Sequence, residues 1–301
     1  MKVLITGATG LIGSHLSKAF QNEGHTVHYL TTRKSAILSE EKYKGFHWNP
    51  SKNELDAAAL EGVSVIIHLA GATVSKRWTR EYKEKIIDSR LKSAHLLYSF
   101  LKNNPHEVGH FISASGVGLY PSNDEIHSED TSQTDDGFLA EVVVAWEASA
   151  EKFRDLGIKV SIVRTGIVLS TEGGALKEMM APIQKGVGAP LGKGTQWQSW
   201  IHIDDMVQLY LEITLNGWDG IYNAVAPNPV TNKELTHQIA QALGKRIWLP
   251  NVPSFVLRLL LGEMADIVLD GQRVSSKKIE SVGFSFQYPQ LDGALQDLLK
   301  E

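Results

Sequence analysis

Three glycines near the start of the chain have the type and spacing to hold a phosphate. Gly7, Gly10 and Gly13 lie in Gly7-Ala8-Thr9-Gly10-Leu11-Ile12-Gly13. The run before them, Lys2 to Thr6, is short, apolar and rich in β-branched residues, as a buried parallel strand should be. A helix-compatible run, Ser14 to Glu23, follows at once. In this strand–turn–helix setting Gly7 makes the tight turn and Gly10 lets backbone approach a pyrophosphate. Gly13 lets the helix pack closely. The helix start, with Thr9, Leu11 and Ile12 around it, offers free N–H groups and a partial positive charge. A dinucleotide is the ligand this arrangement suits.

The next strand, read as Thr26 to Thr32, decides which dinucleotide. A strand ending in Asp or Glu binds a ribose 2′-hydroxyl. Here it ends Thr31-Thr32-Arg33-Lys34, with no acid. A guanidinium at Arg33 can hold a 2′-phosphate through paired hydrogen bonds. The expectation is therefore NADP(H) rather than NAD.

Composition narrows the remaining classes. Apolar residues make up 43% of the 301 and charged ones 21%, which fits an ordinary globular protein. The net charge of −4, without a basic block, argues against nucleic acid. With no cysteine, disulfides, thiol catalysis and thiolate metal sites are excluded. The eleven histidines are scattered without the spacing of a helical metal site, so no metal is expected. The first apolar run is too short for a signal peptide, and no run of about 18 apolar residues could span a bilayer. The expectation is a cytoplasmic protein without membrane contact.

The elements that must position these residues alternate between strand and helix, which predicts a doubly wound parallel sheet. Strands are read at Val63 to Leu69, Gly109 to Ser113 (reaching Ser115), Lys159 to Leu169 and Ile221 to Val225. Helices are read at Arg80 to Asn103 and Glu141 to Leu156. The strand ends bring Gly7, Arg33, Ala70-Gly71, Ser113 to Ser115 and Arg164 to Gly166 to one edge, where ligands of such sheets bind. After about Ser170 the texture changes to glycine-rich and tryptophan-bearing sequence. Asp204 and Asp205 read as helix caps, as does Thr231. Pro253 to Leu269 reads as one apolar helix, either core or an oligomer face. The organisation predicted is a Rossmann domain over 1–170 and a smaller α+β substrate lobe over 171–301, parts of which could return to the sheet. A homo-oligomer is left open.

The GxxGxxG spacing resembles short-chain dehydrogenase/reductases, and TGATGLIG is similar to their extended, epimerase-like branch. The resemblance sharpens further along the chain. HLAG at 68–71, KRWTREYKEKIIDSRLKS at 76–93, RTGIVLS at 164–170 and GAPLGKGTQWQSWIHIDD at 188–205 resemble the YfcH-like epimerase family, atypical extended members with an added C-terminal domain. YNAVAPNPVTNKE at 222–234, LLLGEMA at 259–265 and GFSFQYPQLDGAL at 283–295 extend it over nearly the whole chain. The resemblance implies a Rossmann fold that binds NADP(H), with no assigned substrate. It also implies that Arg90 and Lys85 reach the cofactor, that Leu69 and Ala70 floor the adenine ribose, and that Val168 meets the nicotinamide end.

Catalysis in that superfamily normally needs Ser, Tyr and Lys, the last two four residues apart on one helix face. Ser115 stands where the serine belongs. Setting Glu147 against the acid found late in the helix puts Leu139 and Val143 at the Tyr and Lys positions, and neither moves a proton. Tyr120 is the candidate replacement acid. Glu141 and Glu147 read as solvated or capping. Arg77, Trp78, Trp197, Trp200 and His202 read as substrate-pocket residues, since aromatics line small-molecule sites. Two functions follow. One is an NADP(H)-dependent oxidoreductase or epimerase acting on a small polar or sugar-like substrate. The other is a non-catalytic NADP(H)-binding regulator or scaffold.

Overall fold

In a computed structural model, which describes residues 1–300, eight strands form one sheet in the order β12-β8-β6-β5-β1-β2-β3-β4. In chain order the elements begin β1 (Lys2–Thr6), α1 (Leu11–Asn22), β2 (Thr26–Thr31), β3 (Tyr43–Asn49), β4 (Glu54–Leu55) and β5 (Val65–His68). They continue with α2 (Arg80–Asn103), β6 (His110–Gly116), β7 (Ile126–His127), α3 (Phe138–Glu151), β8 (Lys159–Thr165) and β9 (Ile167–Leu169). Next come α4 (Gly174–Gln184), β10 (Trp197–Gln198), β11 (Trp200–His202), α5 (Ile203–Asn216), β12 (Gly220–Ala224) and β13 (Val230–Thr231). The chain closes with α6 (Asn232–Ala242), α7 (Ser254–Leu261), α8 (Asp266–Leu269), β14 (Arg273–Val274), α9 (Lys277–Ser281) and α10 (Leu291–Leu298).

Every pairing in the large sheet is parallel except β3 with β4. Alternation along the strands feeds two cores. Val3, Ile5, Val27, Ile67 and Val163 pack on α1 and α5. Leu4, Leu30, Ile66, Phe111 and Ile162 pack on α2 and the end of α3. Burying each such side chain is worth roughly 1.5–3 kcal/mol. The strand order reverses between β1 and β5, so the crevice beyond their carboxyl ends is the natural binding edge.

Several expectations change. The run 159–169 is two strands: Gly166 breaks it, and β9 leaves the large sheet to pair with β11. A Cβ at Gly166 would overlap the Ser199 carbonyl, so only glycine allows that close approach. The helix read at Glu141 begins at Phe138 and gives way to a 3-10 turn at Lys152. His202, rather than an aspartate, caps α5 by accepting the Asp204 N–H. Thr231 does cap α6, in a capping box with Glu234. The apolar stretch 253–269 is cut at Gly262, where φ is +64°. Its first half, α7, buries Leu257 and exposes Phe255, Leu259 and Leu260. Residues 203–224 return to the Rossmann core as α5 and β12, while α4, α6 and α10 enclose a separate core around Trp200, Leu235 and Leu291. Among the described residues, no helix is long and apolar enough to cross a membrane.

Candidate cofactor and active site

The glycine turn is shaped by backbone crowding. Gly7 has φ +73°, and a Cβ on it would press the Leu69 carbonyl at 3.0 Å. A Cβ on Gly13 would overlap the Gly7 carbonyl and the Ala8 Cα, so α1 packs on the turn itself. Gly10 is different: a Cβ there would meet only the Gly7 carbonyl, at 3.2 Å, with its other side open. It precedes α1, whose first turn carries neither a side-chain cap nor an acid. An anion suits those N–H groups and the helix dipole.

Beneath β1 and β5 lies a hydrogen-bond network that the sequence did not announce. The Thr6 hydroxyl accepts the N–H groups of Leu69 and Ala70, both at 3.1 Å. Its own proton therefore goes to His68 Nδ1, 2.8 Å away. His68 then carries its proton on Nε2 and donates to Ser93 Oγ at 3.0 Å. Burial pushes the His68 pKa down to about 4, so the ring stays neutral in this chain of bonds. Arg90 supports the same turn. Its guanidinium donates to the Ala72 and Ile86 carbonyls, lies over the Trp146 ring and would press a Cβ at Gly71 from 3.1 Å. Burial lowers the Arg90 pKa to about 10, and its Nε has no partner. Arg90 thus shapes the floor of the crevice from below.

Above that floor is a cleft of about 700 Å³. Gly7, Thr9, Thr32, Arg33, Ala70, Gly71 and Lys85 line it, all sequence-predicted. Trp48, Asn49 and Ser51 from the end of β3 close its far side, and they were not predicted. The side chain of Arg33 makes no ion pair among the described residues. The donor set suits a dinucleotide bearing a 2′-phosphate: an uncapped helix start for the pyrophosphate, a cationic side chain at the end of β2, and no competing acid there. Val168 sits apart in β9, near the segment that crosses Leu11 through Gly173 and Gly174. His15 holds that segment, contacting Glu172 at 3.2 Å and the Leu11 carbonyl at 2.9 Å.

The centre around Ser115 is built differently. Its hydroxyl donates to Glu147 Oε1 at 2.6 Å. Glu147, whose side chain is only 12% exposed, receives two bonds from Arg164, both at 2.8 Å. Arg164 also donates to the Tyr120 hydroxyl at 2.7 Å, which donates on to Asn223 Oδ1 at 2.9 Å. Glu147 is therefore a part-buried ion-pair partner, not the solvated or capping acid expected. Arg164 points into this network and does not line the cofactor cleft, nor does Ser113, which bonds the Ala114 carbonyl. Tyr120 is fully buried, stacked on His127, and burial raises its pKa. It holds Arg164 in place and has no open face for an acid to act through. Leu139 and Val143 pack against Gly118 and Gly116 at the expected Tyr and Lys positions.

The predicted pocket residues divide. Trp78 donates to the Val74 carbonyl, packs edge-on against Phe138 and lines a small cavity of about 70 Å³ with Leu139 and Gly118. Arg77 is exposed near Gly262. Trp197 borders a polar cleft of about 590 Å³ together with Ser122, Lys193 and Arg258. Trp200 is core, fully buried with its N–H on the Asn228 carbonyl. His202 is also internal. Its Nδ1 accepts a backbone N–H, so Nε2 carries the proton and faces Asp297 at 3.5 Å. That tautomer does not suit a metal, although Asp204 and Asp297 lie close.

With this geometry in view, comparison with known proteins is decisive. The NAD dependent epimerase/dehydratase family matches residues 3–224, and a domain of unknown function, DUF1731, matches 252–298. The chain belongs to the NAD dependent epimerase/dehydratase family. An epimerase family protein of Staphylococcus aureus is 38% identical over 99% of both chains. The chloroplastic SDR39U1 homolog of Arabidopsis thaliana is 36% identical over all of this chain and 87% of its own. The crystal structure of human epimerase family protein SDR39U1 with NADPH superposes with a TM-score of 0.85, at 27% identity and 99% coverage of both chains. Within the epimerase/dehydratase family, the Rossmann sheet and smaller C-terminal region found here are the shared fold.

Proposed function

We propose that this chain binds NADP(H) and uses it as an oxidoreductase or epimerase on a small polar, sugar-like substrate. The observation that carries the reading is the open crevice at the carboxyl ends of β1, β2 and β5. It joins an uncapped glycine-turn helix to an unpaired Arg33, with no acid at the end of β2. That human SDR39U1 was crystallised with NADPH supports the same choice. A bound nicotinamide supplies hydride transfer. Ser115 is the one conventional proton-handling side chain at its strand end, and it would meet the substrate oxygen. One observation favours the second reading, in which NADP(H) is held without turnover. The polar groups around Ser115 satisfy one another, and Leu139 and Val143 cannot move a proton.

Gly10→Val tests the binding site. The added side chain fills the approach a pyrophosphate needs, while the turn has only the Gly7 carbonyl to accommodate. NADPH binding should vanish with far-UV circular dichroism near native. A variant that binds like the wild type would place the cofactor elsewhere. A screen of aldehydes, ketones and nucleotide sugars, followed at the nicotinamide absorbance, separates the two readings. Turnover selects the enzyme, and tight NADPH binding with no turnover selects the non-catalytic protein.

A further inference from the structure

Near the start of α1, one histidine has an acceptor at each ring nitrogen. His15 Nδ1 lies 2.9 Å from the Leu11 carbonyl oxygen, and Nε2 lies 3.2 Å from Glu172 Oε1. A carbonyl and a carboxylate have no proton to give. Neutral imidazole has a single N–H, so either tautomer turns a lone pair on one of the two oxygens. Only the doubly protonated ring donates to both. Among the described residues, Glu172 is the one carboxylate within ion-pair reach of this ring. On α5, which packs on α1, Asp204 lies beside His202 and Asp205 accepts the N–H groups of Gln287 and Tyr288. Lys18 on α1 itself and Lys177 and Glu178 on α4 complete the charged groups of these elements near His15. The ring joins two segments that meet at Leu11. A Cβ at Gly174, where φ is +73°, would press Leu11 Cδ2 from 3.3 Å, and the Glu172 N–H is held by Ser170 Oγ at 3.2 Å. Leu11 is also the first residue of α1, whose uncapped N–H groups suit a pyrophosphate. A pyrophosphate bound there sets its negative charge beside the turn that carries His15, and a nearby anion favours the imidazolium.

We propose that His15 is a proton-linked clasp. Protonated, it ties the segment 170–174 to the start of α1, and NADP(H) binding and protonation of His15 strengthen each other. This coupling rests on the function proposed above. His15 is a positioning residue in it: it touches Leu11 and Glu172, not the cofactor. The factor by which protonation tightens the cofactor equals the factor by which the cofactor tightens the proton. Charges about one helical turn apart at a solvated edge give roughly three- to tenfold. Affinity is therefore highest in acid and falls as pH rises through the titration of His15.

The test follows the ring nitrogens of His15 by nitrogen-15 NMR at about pH 6.5, where an ordinary histidine is half protonated. His15→Gln supplies the assignment. In the free protein, Glu172→Gln should lower the doubly protonated fraction of His15. Adding NADPH to the wild type should raise it. Calorimetry reads the same linkage from the cofactor side. Between about pH 8.5 and 5.5, NADPH affinity of the wild type should rise roughly three- to tenfold beyond any rise in His15→Gln. The 2′-phosphate titrates at about 6 in both proteins, so its contribution cancels. A doubly protonated fraction that ignores Glu172→Gln overturns the clasp. Equal pH dependence in wild type and His15→Gln overturns the coupling. If NADPH does not bind at all, the proposed cofactor fails and the coupling with it, while the free-protein comparison still decides the clasp.

Discussion

Two strand ends of one sheet, about as polar as each other, are finished in opposite ways. At β1, β2 and β5 the interior groups are bonded below the surface, through Thr6, His68 and Ser93, while the Arg33 side chain makes no ion pair among the described residues and the start of α1 has no side-chain cap. At β6 and β8 the side chains of Ser115, Glu147, Arg164, Tyr120 and Asn223 are bonded to one another. The first edge is preorganised for an anion, since Arg33 and the N–H groups at the start of α1 have no protein partner to give up. The second gains internal order, and any ligand there meets what is left over. An open edge and a self-satisfied one thus sit side by side in one fold, which is why fold alone does not assign the reaction.

The contrast can be broken most forcefully at the ion pair. Glu147→Gln leaves a buried guanidinium without its counter-charge and should cost roughly 3–5 kcal/mol of stability. Denaturant unfolding should register the loss. A change below about 1 kcal/mol would mean that the pair is solvated and the second edge open after all.

Acid should act next, through His68 beneath the first edge and His110 at the start of β6. The folded pKa values of His68 and His110 are both held near 4, well below the 6.5 of an unfolded histidine. Between those values the unfolded chain takes up protons that the folded chain refuses. Stability is therefore flat above about pH 6.5 and falls as pH drops toward 4, by about 2 kcal/mol for each ring at pH 5. His28 and His202 are shifted in the same direction by burial. Thermal melts from pH 7.5 to 5 should follow this course, and His68→Asn should flatten it. Stability that rises over that range would refute the neutral His68 network.

The smallest effect sharpens the contrast. Tyr120→Phe removes one hydroxyl from the closed network and should cost about 1–2 kcal/mol. NADPH affinity should stay within about threefold, because the hydroxyl lies outside the cleft. If NADPH affinity fell by more than tenfold, the two edges would be coupled.

Much of the first edge was legible in the sequence, because its signals are local. A glycine turn between an apolar strand and a helix carries its own geometry, and Arg33 stands a fixed distance further on. The alternation of strands and helices was legible for the same reason. The second edge was hidden because its partners are distant in sequence. Glu147 looks like any acid on a helix until Arg164, 17 residues later on a strand, is brought beside it. Tyr120 and Asn223 are 103 residues apart. Likewise Trp200 carries the same local signal as Trp197, and only the packing of α4, α6 and α10 makes one core and leaves the other at a cleft. The strand break at Gly166 was masked by the β-branched residues on both sides of it in KVSIVRTGIVLS, and its cause is the backbone of Ser199 pressed against the glycine.

Whether the first edge is an NADP(H) site is tested most directly by calorimetric titration of the wild type and Arg33→Ala with NADPH and NADH. A bidentate guanidinium–phosphate contact is worth about 1.5–3 kcal/mol. Wild type should therefore prefer NADPH by roughly ten- to a hundredfold, and Arg33→Ala should remove most of that preference while leaving NADH binding nearly unchanged. Equal affinity of the wild type for the two cofactors, or no binding of either, would contradict it.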